Sequence, residues 1–288
     1  MIKRIRSDSG LMGPTHALSA VAISLLFAWL ASDFMFNTLL GSKDIVVFIS
    51  AIIIIIGASL MPDLDAVNST SINVLGIAGA TLSTGMRAFS SVIQNLIKGP
   101  YDKSSDPHRG FWHTFLSAFV VGALISAITS INVKIFILAN DEITIASLVV
   151  IFIIYISLQL TMASLAKPFY KKKGNKIIVK IGILMISVLL LLTLPKDLNY
   201  RWVGAAVTFG WIVHLLGDLL TVSGVPVLFP LKHKGKRWWN FRSPVGIKAN
   251  GLIENSILIP LFLIIIAISL YNIIPLLKWT KEAYNEIT

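Results

Sequence analysis

Long apolar runs recur along this chain from Ala17 to Leu277, and that recurrence constrains the fold more than any other feature. A helix needs about 20 apolar residues to cross a ~30 Å hydrocarbon core, and lipid offers no partners for exposed backbone. Seven segments qualify or nearly qualify: Ala17 to Phe36, Ile45 to Met61, Thr114 to Ile131, Ile143 to Leu165, Ile177 to Leu194, Trp202 to Val222, and Ser256 to Leu277. The expected fold is therefore all-α, a polytopic transmembrane helical bundle of about seven spans, with residues 1–288 forming one integral-membrane domain. Composition agrees, with 55% hydrophobic and 14% charged residues and a mean hydropathy of +0.79. The basic start MIKRIR resembles the head of a signal peptide, but apolar segments continue to the end of the chain, so the first is expected to be retained.

Charge gives a direction. With the N-terminus inside, all of the 25 Lys and Arg residues except Lys43, Lys134, Lys196, Arg201, Lys278 and Lys281 fall on the cytoplasmic side. The positive-inside rule then predicts a multi-pass inner-membrane protein with a cytoplasmic N-terminus and an outer C-terminus. The net charge of +11 is spread over several inter-helix loops, which suits anionic lipid headgroups and gives no reason to expect nucleic acid. There are no cysteines, so any transition metal must be held by His and carboxylate.

The loop from Pro62 to Trp112 mixes apolar residues with Ser, Thr, Gly, Arg87 and Gln94, a pattern suited to one or two interfacial helices. Four short polar motifs surround it and share one level of the membrane. Thr15-His16 opens the first span, Pro62-Asp63-Leu64-Asp65 closes the second, and His108-Arg109-Gly110-Phe111-Trp112-His113 leads into the third. His214 and Asp218, four apart, lie on one face near the end of the sixth. Singly, each motif has an ordinary explanation as an interfacial residue or a turn. Together they put four of the five histidines beside carboxylates at one face, where an unpaired charge in lipid would cost at least ~3 kcal/mol.

The candidate metal ligands are His16, Asp63, Asp65, His108, His113, His214 and Asp218, with the choice between Asp63 and Asp65 and between His108 and His113 open. Imidazole with carboxylate suits a divalent transition metal, Zn first, with Mn or Fe as alternatives. So many ligands imply more than one ion, and paired ions of this kind activate water and hold a phosphoryl or acyl oxygen. Arg109 is a candidate for stabilising charge on such an oxygen. Glu254, entering the last span, is a candidate ligand, supporting group or catalytic carboxylate. The loop after the sixth span carries Lys232, Lys236, Arg237, Trp238 and Arg242, a set suited to an anionic headgroup or to routine interfacial anchoring, with His233 among them.

These motifs, in this order and ending in His-x-x-x-Asp-x-x-Thr-x-x-Gly-Val-Pro with a Trp/Arg-rich loop, resemble the YdjM-type family of membrane-bound, metal-dependent hydrolases. The ligand pattern is distantly similar to zinc-dependent phospholipase C and the P1-type nucleases. The resemblance implies His16, Asp63 or Asp65, His108 or His113, His214 and Asp218 as ligands. The chain departs from the soluble enzymes in lacking a ligating N-terminal Trp and a later His-x-x-x-Glu pair. The expected activity is hydrolysis of a phosphoester in a lipid or lipid-linked substrate at the cytoplasmic leaflet. Rival readings are a metal-ion or proton-coupled transporter, for which only Asp33 offers a charge in the outer half, and a noncatalytic membrane protein with a structural metal.

Overall fold

The computed structural model describes residues 13–66, 70–100, 102, 109–131, 133–138, 141–166, 173–195, 198–244, 246–248 and 250–277. Within them the chain forms α1 (Gly13–Leu30), α2 (Ile45–Ala58), α3 (Thr70–Leu75), α4 (Ile77–Leu96), α5 (Phe115–Ile128), a hairpin of β1 (Lys134–Leu138) and β2 (Asp141–Thr144), α6 (Ile145–Leu165), α7 (Lys173–Thr193), α8 (Trp202–Leu219) and α9 (Ile259–Ile273). Three of the apolar helices, α2, α5 and α6, begin where a side chain caps them. Asp44 accepts the backbone N–H of Val46 at 2.7 Å, Thr114 that of Ser117 at 3.1 Å, and Thr144 that of Ser147 at 3.1 Å.

Six stretches are long and apolar enough to cross a membrane: Gly13–Leu30, Ile45–Asp65, Ile145–Leu165, Lys176–Thr193, Trp202–Leu219 and Glu254–Leu276. The remaining expected segment, Thr114 to Ile131, is the shorter apolar helix α5. At ~1.5 Å per residue its 14 residues reach about 21 Å. The fold is a polytopic helical bundle, nearly all helical. Its departure from all-α is the antiparallel hairpin β1–β2, whose Ile, Phe and Thr residues favour extended backbone and which sets the start of α6 at Ile145.

At the centre stands α8, packed against α1, α2 and α5, while α6 lies on α2, α7 on α6, and α9 on α1. Close crossings are possible where side chains vanish. A Cβ at Gly210 would stand 2.2 Å from the carbonyl oxygen of Ile55 on α2, and one at Gly204 would stand 2.2 Å from that of Gly122 on α5. The outer faces of α7 and α9 expose Ile178, Met185, Leu189, Leu263 and Ile264, as surfaces covered by lipid do.

The segment between Pro62 and Trp112, expected to hold one or two helices, forms α3 and α4. Helix α4 inverts the pattern of a soluble amphipathic helix: it buries Ser83, Ser90 and Gln94 and exposes Leu82, Phe89, Val92 and Leu96.

A candidate metal centre at one end of the bundle

Alternation of helix direction decides where the polar motifs meet. His16 lies in the first turn of α1, and Asp63 and Asp65 lie in the 3-10 turn Pro62–Asp65 after α2. His113 ends the 3-10 turn Phe111–His113 before α5, and His214 and Asp218 occupy the last turns of α8. Two helix starts and two helix ends thus lie side by side. All these side chains are 0–2% exposed except Asp63, at 30%, which forms the mouth of the site.

Four atoms form a ring of alternating nitrogen and oxygen. His113 Nε2 is 3.7 Å from both Asp63 Oδ1 and Asp218 Oδ2, and His214 Nε2 is 3.8 Å and 3.6 Å from the same two oxygens. Those separations exceed hydrogen-bonding length. They suit ligands of a common ion better, since two ligands ~2.1 Å from a tetrahedral zinc stand about 3.4 Å apart. Buried His/Asp clusters of this kind could hold a metal ion, and two overlapping groups meet the need: His16 with His214 and Asp218, and Asp63 with His113 and His214.

The backbone of a neighbouring helix fixes the state of His214. Its Nδ1 lies 2.8 Å from the carbonyl oxygen of Ser59, which can only accept, so Nδ1 carries the proton and Nε2 presents its lone pair to the site. The His16 ring stacks on His214 with centroids 4.1 Å apart, and His16 Nε2 is 3.5 Å from Asp218 Oδ1. Behind His113, on the Nδ1 side of its ring, the Asp65 carboxylate stands 3.7 Å away. Asp63 and Asp65 therefore hold different positions, the first facing two imidazoles across the site and the second backing one of them.

The segment carrying His113 hangs from α4. Phe111 donates its backbone N–H to Ser90 Oγ at 3.0 Å, and the Trp112 indole donates to the Met86 carbonyl at 2.7 Å. Trp211 of α8 donates to the Trp112 carbonyl at 2.8 Å, joining this segment to the helix that presents His214. Sequence reasoning missed Ser59, Met86 and Ser90, since a carbonyl carries no motif and a lone serine in a helix is uninformative.

The model of the YdjM inner membrane protein family matches residues 11–167 and 179–279, most of the chain and every motif lining the site. The chain belongs to the YdjM family. No curated protein and no solved structure matches it. Within this YdjM chain the remaining site candidates fall as follows. Arg109, at φ +66°, donates from Nη1 to the Gly224 carbonyl at 2.9 Å and has Nη2 3.6 Å from Asp218 Oδ2, so it faces a candidate ligand directly. His108 lies outside the described residues. Glu254 is buried at the start of the π-helical turn Glu254–Leu258, where Oε2 accepts the Asn250 backbone N–H at 2.5 Å, within electrostatic reach of His16.

In the basic loop Lys232, Lys236 and Arg242 are exposed and Arg237 is partly buried. Trp238 turns inward, stacking on Phe229 at 4.1 Å and donating its indole N–H to the Ile97 carbonyl at 3.1 Å. The loop is pinned by Asp102, whose carboxylate accepts the backbone N–H groups of Gly99 at 2.6 Å and of Arg237 and Trp238 at 3.1 Å each.

Proposed function

We propose that this YdjM-family chain is one membrane domain acting as a divalent-metal-dependent hydrolase on a phosphoester of a lipid or lipid-linked substrate at the cytoplasmic leaflet. The observation that carries the reading is the ring of His113 Nε2, Asp63 Oδ1, His214 Nε2 and Asp218 Oδ2, buried except at the partly exposed Asp63 carboxylate. Zinc suits this donor set best, with manganese or iron as alternatives. When bound, such ions supply an acidified water and a Lewis acid for a phosphoryl oxygen.

The chain's own residues supply the rest. Arg109 holds positive charge against Asp218 on the ring, where charge developing on a phosphoryl oxygen gains most. Lys232, Lys236 and Arg242, exposed on the loop that Asp102 pins at Arg237 and Trp238, would hold an anionic headgroup. The charge bias of the loops supports a cytoplasmic N-terminus, which puts the site at the inner leaflet.

A transporter would need polar groups continuing across the bundle, and both candidate metal groups among the described residues lie at one end. The test is turnover by detergent-purified, metal-loaded protein over a panel of phospholipids and isoprenyl phosphates. Hydrolysis abolished by Asp218→Ala supports the proposal, and no turnover on any member of the panel overturns it.

A further inference from the structure

We infer that the site is an asymmetric two-ion centre, in which Asp218 bridges a tightly held ion in the four-atom ring to a second, exchangeable divalent cation between its Oδ1 and His16 Nε2. The inference rests on the metal-dependent reading above and adds the number of ions and the division of labour between them.

The two carboxylate oxygens of Asp218 face different partners. Oδ2 belongs to the ring, 3.6 Å from His214 Nε2 and 3.7 Å from His113 Nε2, whereas Oδ1 faces His16 Nε2 at 3.5 Å. His214 cannot serve both groups, because the Ser59 carbonyl takes its Nδ1 proton and leaves a single lone pair, on Nε2. The ring can use that lone pair together with three further ligands. Among the described residues the other position is left with His16 and one oxygen of Asp218.

His16 itself calls for an occupant. Its side chain is fully buried, and neither ring nitrogen has a hydrogen-bond partner among the described residues. Leaving a buried imidazole without a hydrogen bond is unfavourable, and its Nε2 faces Asp218 Oδ1 at 3.5 Å, long for a hydrogen bond but suited to a shared ion. An ion with two protein ligands among the described residues keeps coordination positions for water or substrate. It also binds more weakly than one with four.

The experiment is a metal titration of the full-length protein in detergent, with bound metal measured by mass spectrometry. Wild type is expected to bind about two equivalents in two affinity classes, and His16→Ala about one, with the tight class retained. Manganese-loaded wild type is expected to give an exchange-coupled pair signal in electron paramagnetic resonance, which needs no variant to fold. A single equivalent in wild type, two equivalents in His16→Ala, or an uncoupled manganese spectrum at saturation would each overturn the two-ion centre. A failed phosphoester panel with two bound equivalents would instead overturn the hydrolase and leave the centre standing, and a wild type that binds no metal removes both.

Discussion

His214 donates from Nδ1 to the carbonyl oxygen of Ser59 at 2.8 Å, across the contact between α8 and the end of α2. That bond fixes the tautomer of a candidate ligand from outside the site. The Asp65 carboxylate, 3.7 Å from His113 Nδ1, sets negative charge behind a second candidate ligand. Asp65→Asn is expected to lower metal affinity by roughly 10–100-fold while leaving the stoichiometry unchanged. His214→Ala is expected to lose the tight ion altogether. Competition against a fluorescent chelator measures both, and an Asp65→Asn affinity equal to wild type would remove Asp65 from the support of the site.

Removing the metal should destabilise the bundle, because the candidate ligands come from α1, the turn after α2, α8 and the turn before α5. An ion at 100 times its dissociation constant stabilises the state that binds it by about 2.7 kcal/mol. Thermal unfolding in detergent is expected to shift downward on adding a strong chelator and to recover on restoring zinc. A melting temperature indifferent to chelator would argue against an ion joining these helices.

Gly210 lets α8 approach α2, since a Cβ there would meet the Ile55 carbonyl at 2.2 Å, and backbone cannot rotate away. Gly210→Ala is expected to cost about 1–3 kcal/mol through overpacking. Because His214 lies one turn further along the same helix, metal affinity should fall with stability. Thermal stability and metal content equal to wild type would refute the close crossing.

Asp102 gathers the backbone N–H groups of Gly99, Arg237 and Trp238 on one carboxylate. Hydrogen bonds to a charged group contribute about 1.5–3 kcal/mol each, so Asp102→Ala should free the basic loop locally without unfolding the bundle. Limited proteolysis and hydrogen exchange are expected to show faster cleavage and exchange over residues 231–242. An unchanged exchange pattern there would rule out the pin.

The absence of native cysteine permits a direct test of orientation. In intact cells, a membrane-impermeant thiol reagent is expected to label Lys43→Cys and to spare Lys234→Cys until the membrane is opened. The reverse pattern would invert the topology and move the site to the outer leaflet.

Much of this protein is determined by its sequence. Apolar length alone specifies helices, because only helices satisfy backbone groups in lipid, and the spans Ile45–Asp65, Ile145–Leu165 and Trp202–Leu219 match runs visible in the letters. Helices that alternate in direction must also return motifs at the start of α1, the end of α2, the start of α5 and the end of α8 to one level, so the residues of the site could be read as a set. The hairpin β1–β2 was not legible, being short and flanked by stronger apolar signals. Tertiary structure decided the rest, because it depends on atoms whose direction no spacing encodes. It set Asp63 across the site and Asp65 behind His113, turned Trp238 inward, aimed Arg109 at Asp218, and chose the His214 tautomer through a carbonyl. Hydrophobicity is a property of each residue and survives in the sequence, whereas the direction of a lone pair belongs to the packed bundle.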